Sequence, residues 1–241
     1  MNTRKLRKAI LTLCSALLLV SLSVGATLAY LTSTDTVVNT FTVGKVNITL
    51  DEAKVDEYGK AVEPAERVHE NKYKLMPGHE YTKDPTVHVQ QGSEPAYVRM
   101  FVQITDIKDL KKACDVAEGD PFLPEKFVTG WDPEKWVSTK TITTSEDDDT
   151  CTYEFRYYTT VDAREKAVDL PALFKTIKVP GAATNEEIDA LSDMKINIIA
   201  QAIQSDSFVA EGDKTAMEKA WEATTAPSFE DTTTDNGTTQ G

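Results

Sequence analysis

The stretch AYVRMFVQI, residues 96–104, places apolar side chains at every second position. Successive side chains of a β-strand point to opposite faces, so this alternation predicts a strand with one face in a core. Turn-forming residues at 91–95, QGSEP, come directly before it. It is the clearest strand signal in the sequence, and it indicates a β-sheet protein.

Shorter strands are predicted on both sides of this stretch. Residues 86–89 and 195–204 have strand-like patterns, and residues 139–143 and 152–160 read as the arms of a hairpin with an acidic tip. Several short strands separated by turn residues are typical of an antiparallel sandwich. The predicted fold class is therefore mainly β, an antiparallel β-sandwich.

A few short helices are predicted at the connections between strands. The first covers residues 106–115, with Asp106 as its N-cap. The second begins at the capping box that Thr184 and Glu187 form and extends to about Ser192. A terminal helix is predicted over residues 213–222, with Trp221 among its inward-facing residues.

The beginning of the chain has the three parts of a secretory signal peptide. Four basic residues lie at positions 4–8, an apolar run covers 10–24, and small residues follow at 25–29. A membrane anchor is the alternative, but a spanning helix needs ~20 mostly apolar residues, and this run is shorter. We expect cleavage between Ala29 and Tyr30, with Ala26 as the second choice, and no stable membrane span afterwards.

The net charge restricts the partners of the chain. The whole sequence carries −13, and loss of the four basic residues in 1–29 would leave −17 on 212 residues. Nucleic acid is bound by clusters of Lys and Arg, so this acidity argues against it, and also against anionic lipid. The length suits one domain over residues 30–222, and a polar segment at 223–241 is predicted to be a disordered tail.

Two cysteines remain after cleavage, Cys114 and Cys151. In an oxidising compartment they could form a disulfide. The bond would close a loop of about 37 residues and contribute on the order of 4 kcal/mol in the chain-entropy model. Two separate thiols are the alternative, and the sequence leaves both open.

No catalytic or cofactor-binding motif is recognised in the sequence. The best metal hypothesis combines His79 and His88 with Glu80 or Asp84, but ordinary loop histidines explain the pattern as well, and no residue is assigned to a metal. The tryptophans at 131, 136 and 221 could form an aromatic binding face. Such residues more often fill the ends of a sandwich core.

Two segments near the N-terminus carry a family resemblance: GATLAYLTSTD at residues 25–35 and NTFTVGKVNITL at 39–50. They resemble the start of proteins in the TasA/camelysin family. Further matches are Met76-Pro77-Gly78, KDPTV at 83–87 and AYVR at 96–99, with weaker ones over 173–204 and 220–223. Residues 106–150 do not match.

The resemblance implies a secreted protein of a Gram-positive bacterium with a jelly-roll-like sandwich, processed by a SipW-type signal peptidase. It also implies self-assembly into biofilm-matrix fibres, in which the mature N-terminal segment of one subunit inserts as a strand into the next. The strand-donating residues would be Tyr30, Leu31, Val37, Phe41 and Val43. Camelysins have also been labelled surface metallopeptidases.

The residues themselves allow two uses of the segment 30–50. It could donate a strand to another sheet edge, or fold back as the first strand of its own sheet. We expect 46–50 to be intramolecular and 30–36 to be exchangeable. The functional hypotheses are therefore a self-assembling surface or matrix protein, a metallopeptidase, and a monomeric binding module that uses the Trp131 and Trp136 region.

Overall fold

The computed structural model describes residues 44–145 and 149–229, which belong to one folding unit that begins at Gly44. Its strands are β1 (Ile48–Ala53), β2 (Arg67–Val68), β3 (Glu80–Thr82), β4 (Thr86–Val89), β5 (Ser93–Thr105), β6 (Val128–Thr129), β7 (Trp136–Ser145), β8 (Thr150–Tyr157), β9 (Val161–Ala163), β10 (Val168–Asp169), β11 (Thr176–Lys178) and β12 (Ile196–Gln204). Its α-helices are α1 (Ile107–Ala113), α2 (Asn185–Asp189) and α3 (Ala216–Glu222), and a 3₁₀ turn covers Pro124–Lys126.

The strands form antiparallel sheets that curl into a half-barrel. One sheet has the order β10-β4-β1-β2, a small sheet has the order β3-β11-β6, and the largest has the order β12-β5-β8-β7, with β9 paired to the start of β5. The predicted fold class is confirmed: within the described ranges the chain is mainly β, with short helices at the connections.

Strand β5 lies at the centre of the largest sheet and organises the core. It pairs with β12 through nine residue pairs on one side and with β8 on the other. Its predicted inner face is buried, and Ala96, Val98 and Met100 are fully inaccessible to solvent. The opposite face of the strand is covered as well, because Arg99 and Phe101 are also buried. The amphipathic strand that the sequence predicts is therefore buried on both faces.

The helices occur where the sequence predicts them, with one difference in capping. The predicted capping box of Thr184 and Glu187 forms, and the structure shows a second one at Thr215 with Glu218. Asp106 is not a side-chain cap; its backbone is left-handed, with φ 52°. Asp149 replaces it: its carbonyl accepts from Ile107 N at 3.2 Å and its Oδ1 accepts from Lys108 N at 3.1 Å. A cap supplied from the β7–β8 hairpin has no local sequence pattern.

The segment between β1 and β3 is held against the sheet at several points. Lys54 N donates to Glu66 O at 2.9 Å, and Val55 and Ala61 form an isolated bridge. Gly59 adopts a positive φ, and a Cβ there would lie 2.5 Å from the Cα of Tyr81. Only glycine combines that conformation with so close an approach. The segment is therefore a tethered loop.

Candidate functional site

The outer edge of β12 is one of the two edges of the largest sheet. Within the described part of the chain β12 pairs only with β5, so the backbone groups on its other side have no ladder partner. Residues 196–203 are all half-buried, which is expected for an edge strand with apolar residues on both faces. An unpaired edge of this kind is a template for another strand. We call it the β12 edge.

Strand β1 of the neighbouring sheet lies beside the β12 edge. Among the described residues no ladder joins the two strands, and a cavity of about 180 Å³ lies between them. Apolar side chains from both sides line it, including Leu50, Val68, Ile196 and Ile198. We call this space the seam.

A larger cavity of about 1040 Å³ continues from the seam. Tyr73, Leu75 and Met194 contribute to its walls, and Lys83 and Ile196 line both cavities. The β12 edge is thus bordered by a groove made of two adjoining cavities, whose walls carry both apolar and charged side chains. Such a groove could receive the side chains of an added strand.

A buried ion pair lies between the two cavities. The Nζ atom of Lys83 donates to Oε2 of Glu52 at 2.6 Å, and the two side chains are 8% and 7% exposed. The other carboxylate oxygen, Oε1, accepts from Nδ2 of Asn71 at 2.9 Å. The Lys83 ammonium also lies 5.9 Å from the centre of the Tyr73 ring. Burial raises the pKa of the Tyr73 hydroxyl, and the Glu52 carboxylate adds to the effect.

A second polar cluster is centred on His88 in β4. Its Nδ1 contacts Oδ1 of Asp169 at 2.6 Å, and its Nε2 contacts Oδ1 of Asp51 at 3.0 Å. Burial alone would lower the pKa of His88, but these two carboxylates outweigh it, and the pKa is raised. Arg67 bridges Asp51 and Asp84, so the cluster alternates positive and negative groups.

Arg99 attaches the C-terminal region to the outer face of the largest sheet. Its guanidinium lies 4.3 Å from the centre of the Trp221 ring and 4.7 Å from that of Phe101. It donates to Oε1 of Gln201 at 2.7 Å and to Oε1 of Glu154 at 3.2 Å. Residues 223–229 follow α3, and the carbonyl of Thr225 accepts from Nε2 of Gln201 at 3.2 Å.

Most of the predicted assembly residues lie outside the described residues. This applies to the cleavage pair Ala29 and Tyr30 and to the donor residues Leu31, Val37, Phe41 and Val43. The final part of the predicted tail, 230–241, also lies outside them. The intramolecular strand predicted for 46–50 is present, since β1 begins at Ile48 and pairs with β4.

The possible disulfide between Cys114 and Cys151 is not formed in the structure, where both are free cysteines. Cys151 lies in β8, opposite Ile104 of β5, and Cys114 caps the end of α1. Burial raises the pKa of the Cys151 thiol, and it raises that of Cys114 to about 11. Both thiols are therefore protonated at neutral pH and are poor nucleophiles.

The histidines and carboxylates considered for a metal are not brought together. His79 packs on the ring of Tyr81 and its Nε2 contacts the carbonyl of Tyr58 at 2.8 Å, whereas both nitrogens of His88 face carboxylates. In the described ranges no group of three or more His, Cys, Asp or Glu side chains is placed to hold a metal ion.

The tryptophans fill the core. Trp136 is fully buried and donates from Nε1 to the carbonyl of Pro171 at 2.8 Å. Trp131 stacks edge-on against Phe155 and donates to the carbonyl of Trp136 at 2.7 Å. Trp131 and Trp136 therefore pack inside the protein and do not form the aromatic binding face considered for this region.

The sequence does not single out the triad of Glu52, Asn71 and Lys83. Glu52 interrupts the apolar pattern of its strand, and Asn71 and Lys83 lie in loops rich in charge. Glu52 stands out because it is a charged residue buried in a strand, and the sequence alone does not show that this residue is buried.

Comparison with known proteins gives no relative: no family model, curated protein or solved structure matches this chain. In the described part of the chain, no helix has the length and apolar content needed to cross a membrane.

Proposed function

We propose that this chain is a secreted structural protein of the cell surface or biofilm matrix of a Gram-positive bacterium, which self-associates by β-strand addition. In this proposal a SipW-type signal peptidase releases the N-terminal segment, and that segment pairs with a second copy of the chain. The signal-like start, the resemblance to the TasA/camelysin family and the open β12 edge support it.

The β12 edge is the observation on which the proposal depends most. It offers a nine-residue strand whose outer backbone groups lack a ladder partner among the described residues, next to a seam lined by apolar side chains. Main-chain hydrogen bonds would supply affinity, and the seam would receive alternate side chains of the added strand. The predicted donor, from Tyr30 to Val43, is Thr- and Val-rich and long enough to pair with the whole edge.

The proposal is tested with two forms of the chain, one from Tyr30 to Gly241 and one that begins at Phe41. Both retain the folding unit that begins at Gly44. Size-exclusion chromatography and negative-stain microscopy should show polymers of the longer form and monomers of the shorter one. If both stay monomeric with added salt, calcium or acid, the chain does not assemble alone, and the monomeric binding module becomes the leading hypothesis.

The acceptor is tested on the longer form. Ile203→Lys places a charge on the β12 edge, where natural proteins use lysine to block strand addition. Val137→Lys is the matched control, because Val137 lies on β7, the opposite edge of the same sheet, and is 47% exposed. We expect the first variant to lose assembly and the second to retain it. The reverse pattern would place the acceptor at β7.

A further inference from the structure

The buried pair of Glu52 and Lys83, together with the half-buried Asn71, forms a triad in which two members could react with each other. One carboxylate contacts both the Lys83 amine, at 2.6 Å, and the Asn71 amide nitrogen, at 2.9 Å. We propose that Lys83 and Asn71 join in an intramolecular amide bond, with Glu52 as the proton carrier.

The carboxylate of Glu52 is placed to serve both ends of the reaction. Its Oε2 receives a proton from the Lys83 ammonium, and the amine that results can attack Cγ of Asn71. Its Oε1 faces Nδ2, the nitrogen that must leave. A general base on the nucleophile and a general acid on the leaving group are both required for acyl transfer, and one bridging carboxylate supplies them in turn.

The negative charge that develops on the amide oxygen also has a donor in place. The backbone N–H of Val55 donates to Oδ1 of Asn71 at 3.0 Å. As Nζ adds to Cγ, charge accumulates on that oxygen, and a preorganised N–H stabilises it. The carbonyl of Ala53 accepts from Nδ2 at 2.8 Å, which fixes the plane of the side-chain amide.

The reaction balances without a further reagent. The Nζ–Cγ bond forms, the Cγ–Nδ2 bond breaks, and the nitrogen departs as ammonium. One lysine ammonium and one primary amide thus give one secondary amide and one ammonium ion, with no oxidation or reduction. Lys83 and Asn71 line the larger cavity, which gives the ammonium a route to solvent.

Burial favours the product over the ion pair. Lys83 and Glu52 are 8% and 7% exposed in their side chains, and two charges held out of water carry a large desolvation cost. Amide formation removes the lysine charge from this site, and the positive charge leaves with the ammonium ion. Because both groups contact the same Glu52 carboxylate, they are held near each other, and such proximity raises the effective concentration above that of a free amine and amide in solution.

The amide bond would join Lys83, which directly follows β3, to Asn71 in the loop between β2 and β3. Trypsin cleaves after Lys72 and Lys74, which lie between the two joined residues. Digestion of the full chain should therefore give a branched peptide that contains 68–72 and a second segment with an uncleaved Lys83. The intact protein should be lighter than its sequence mass by one ammonia.

Variants test the role of each group. Lys83→Met and Glu52→Gln should restore the full mass and abolish the branched peptide. Lys54→Met is the matched control, because Lys54 forms a 2.6 Å pair with Glu66 that is about half exposed to solvent. It should retain the bond.

The wild-type digest decides the proposal even if a variant fails to fold. An unbranched digest with the full sequence mass would overturn it. Loss of ammonia without branching would indicate a cyclic imide at an asparagine and would also overturn it. A branched peptide that persists in Glu52→Gln would overturn the role of Glu52 as proton carrier.

Discussion

His88 combines two carboxylate contacts on one ring. Asp169 contacts its Nδ1 and Asp51 contacts its Nε2, so the charged imidazolium satisfies both hydrogen bonds, whereas a neutral ring can donate only one. Arg67 lies next to Asp51 in the same cluster. The charged ring therefore links β4 to β1 and to β10 at once.

The raised pKa of His88 makes this contribution dependent on pH. A group whose pKa is higher in the folded protein than in the unfolded chain stabilises the fold fully below the unfolded value, about 6.5, and loses that contribution as pH rises through the folded value. The Asp51 pKa is lowered, so its contribution is lost only in acid. The cluster is thus most stabilising in mildly acidic solution.

We predict that His88→Gln lowers the free energy of unfolding by on the order of 1 kcal/mol more at pH ~6 than at pH ~9. Urea unfolding of the full chain at the two pH values measures it. Val89→Ala, one residue along the same strand, removes no titrating group, so its cost should be the same at both. An equal cost of His88→Gln at the two pH values would contradict the prediction.

At the residue scale, the sequence predicts apolar burial better than polar burial. The alternation of 96–104 predicts the inner residues of β5, but it also assigns Arg99 to an exposed face, and Arg99 is 3% exposed. The side chain is covered because Trp221, more than a hundred residues away, stacks on it. A contact between residues so far apart in the chain cannot be predicted from a local sequence pattern. The same is true of the ion pair between Glu52 and Lys83.

At the scale of elements, the predictions succeed where the signal is local. Both strands of the β7–β8 hairpin, the strand at 195–204 and the capping box at Thr184 are confirmed. Strands β2, β6 and β10 have only two residues each and contain too few positions for a period to appear. The β12 edge follows from the order of strands within the sheet, which depends on long-range pairing and not on local pattern.

Two tryptophans anchor different elements, and their indole N–H groups differ in hydrogen bonding. Trp136 holds the start of β7 in the core and donates to the carbonyl of Pro171 at 2.8 Å. Trp221 holds α3 on the sheet, and its buried Nε1 has no hydrogen-bond partner among the described residues. A buried polar group without a partner costs free energy, so the second indole nitrogen contributes no stabilising bond.

We predict that Trp136→Phe lowers the free energy of unfolding by about 1–2 kcal/mol more than Trp221→Phe. The two changes remove similar volume from positions that are 0% and 3% exposed, so each is the control for the other. Urea unfolding followed by far-UV circular dichroism avoids the change in tryptophan fluorescence. Equal losses would indicate that the hydrogen bond to Pro171 adds nothing.

At the scale of the whole molecule, net charge opposes association. The full sequence carries −13, and removal of residues 1–29 would leave −17 on every copy. Copies that add strands to one another bring these charges together. The repulsion acts over a screening length of ~8–10 Å at physiological salt, and over a longer distance when salt is low. In the proposed assembly, charge should therefore set the rate, while the β12 edge and its partner strand would set the geometry.

We predict that the chain from Tyr30 assembles faster as ionic strength rises, and faster again with divalent cations or as pH falls toward the carboxylate pKa values near ~4. Light scattering over a series of salt concentrations and pH values measures the rate. The form that begins at Phe41 separates this effect from precipitation, since it lacks most of the donor and should stay monomeric wherever the longer form polymerises. Rates that do not change with salt or between pH ~4 and ~8 would show that charge repulsion does not limit assembly.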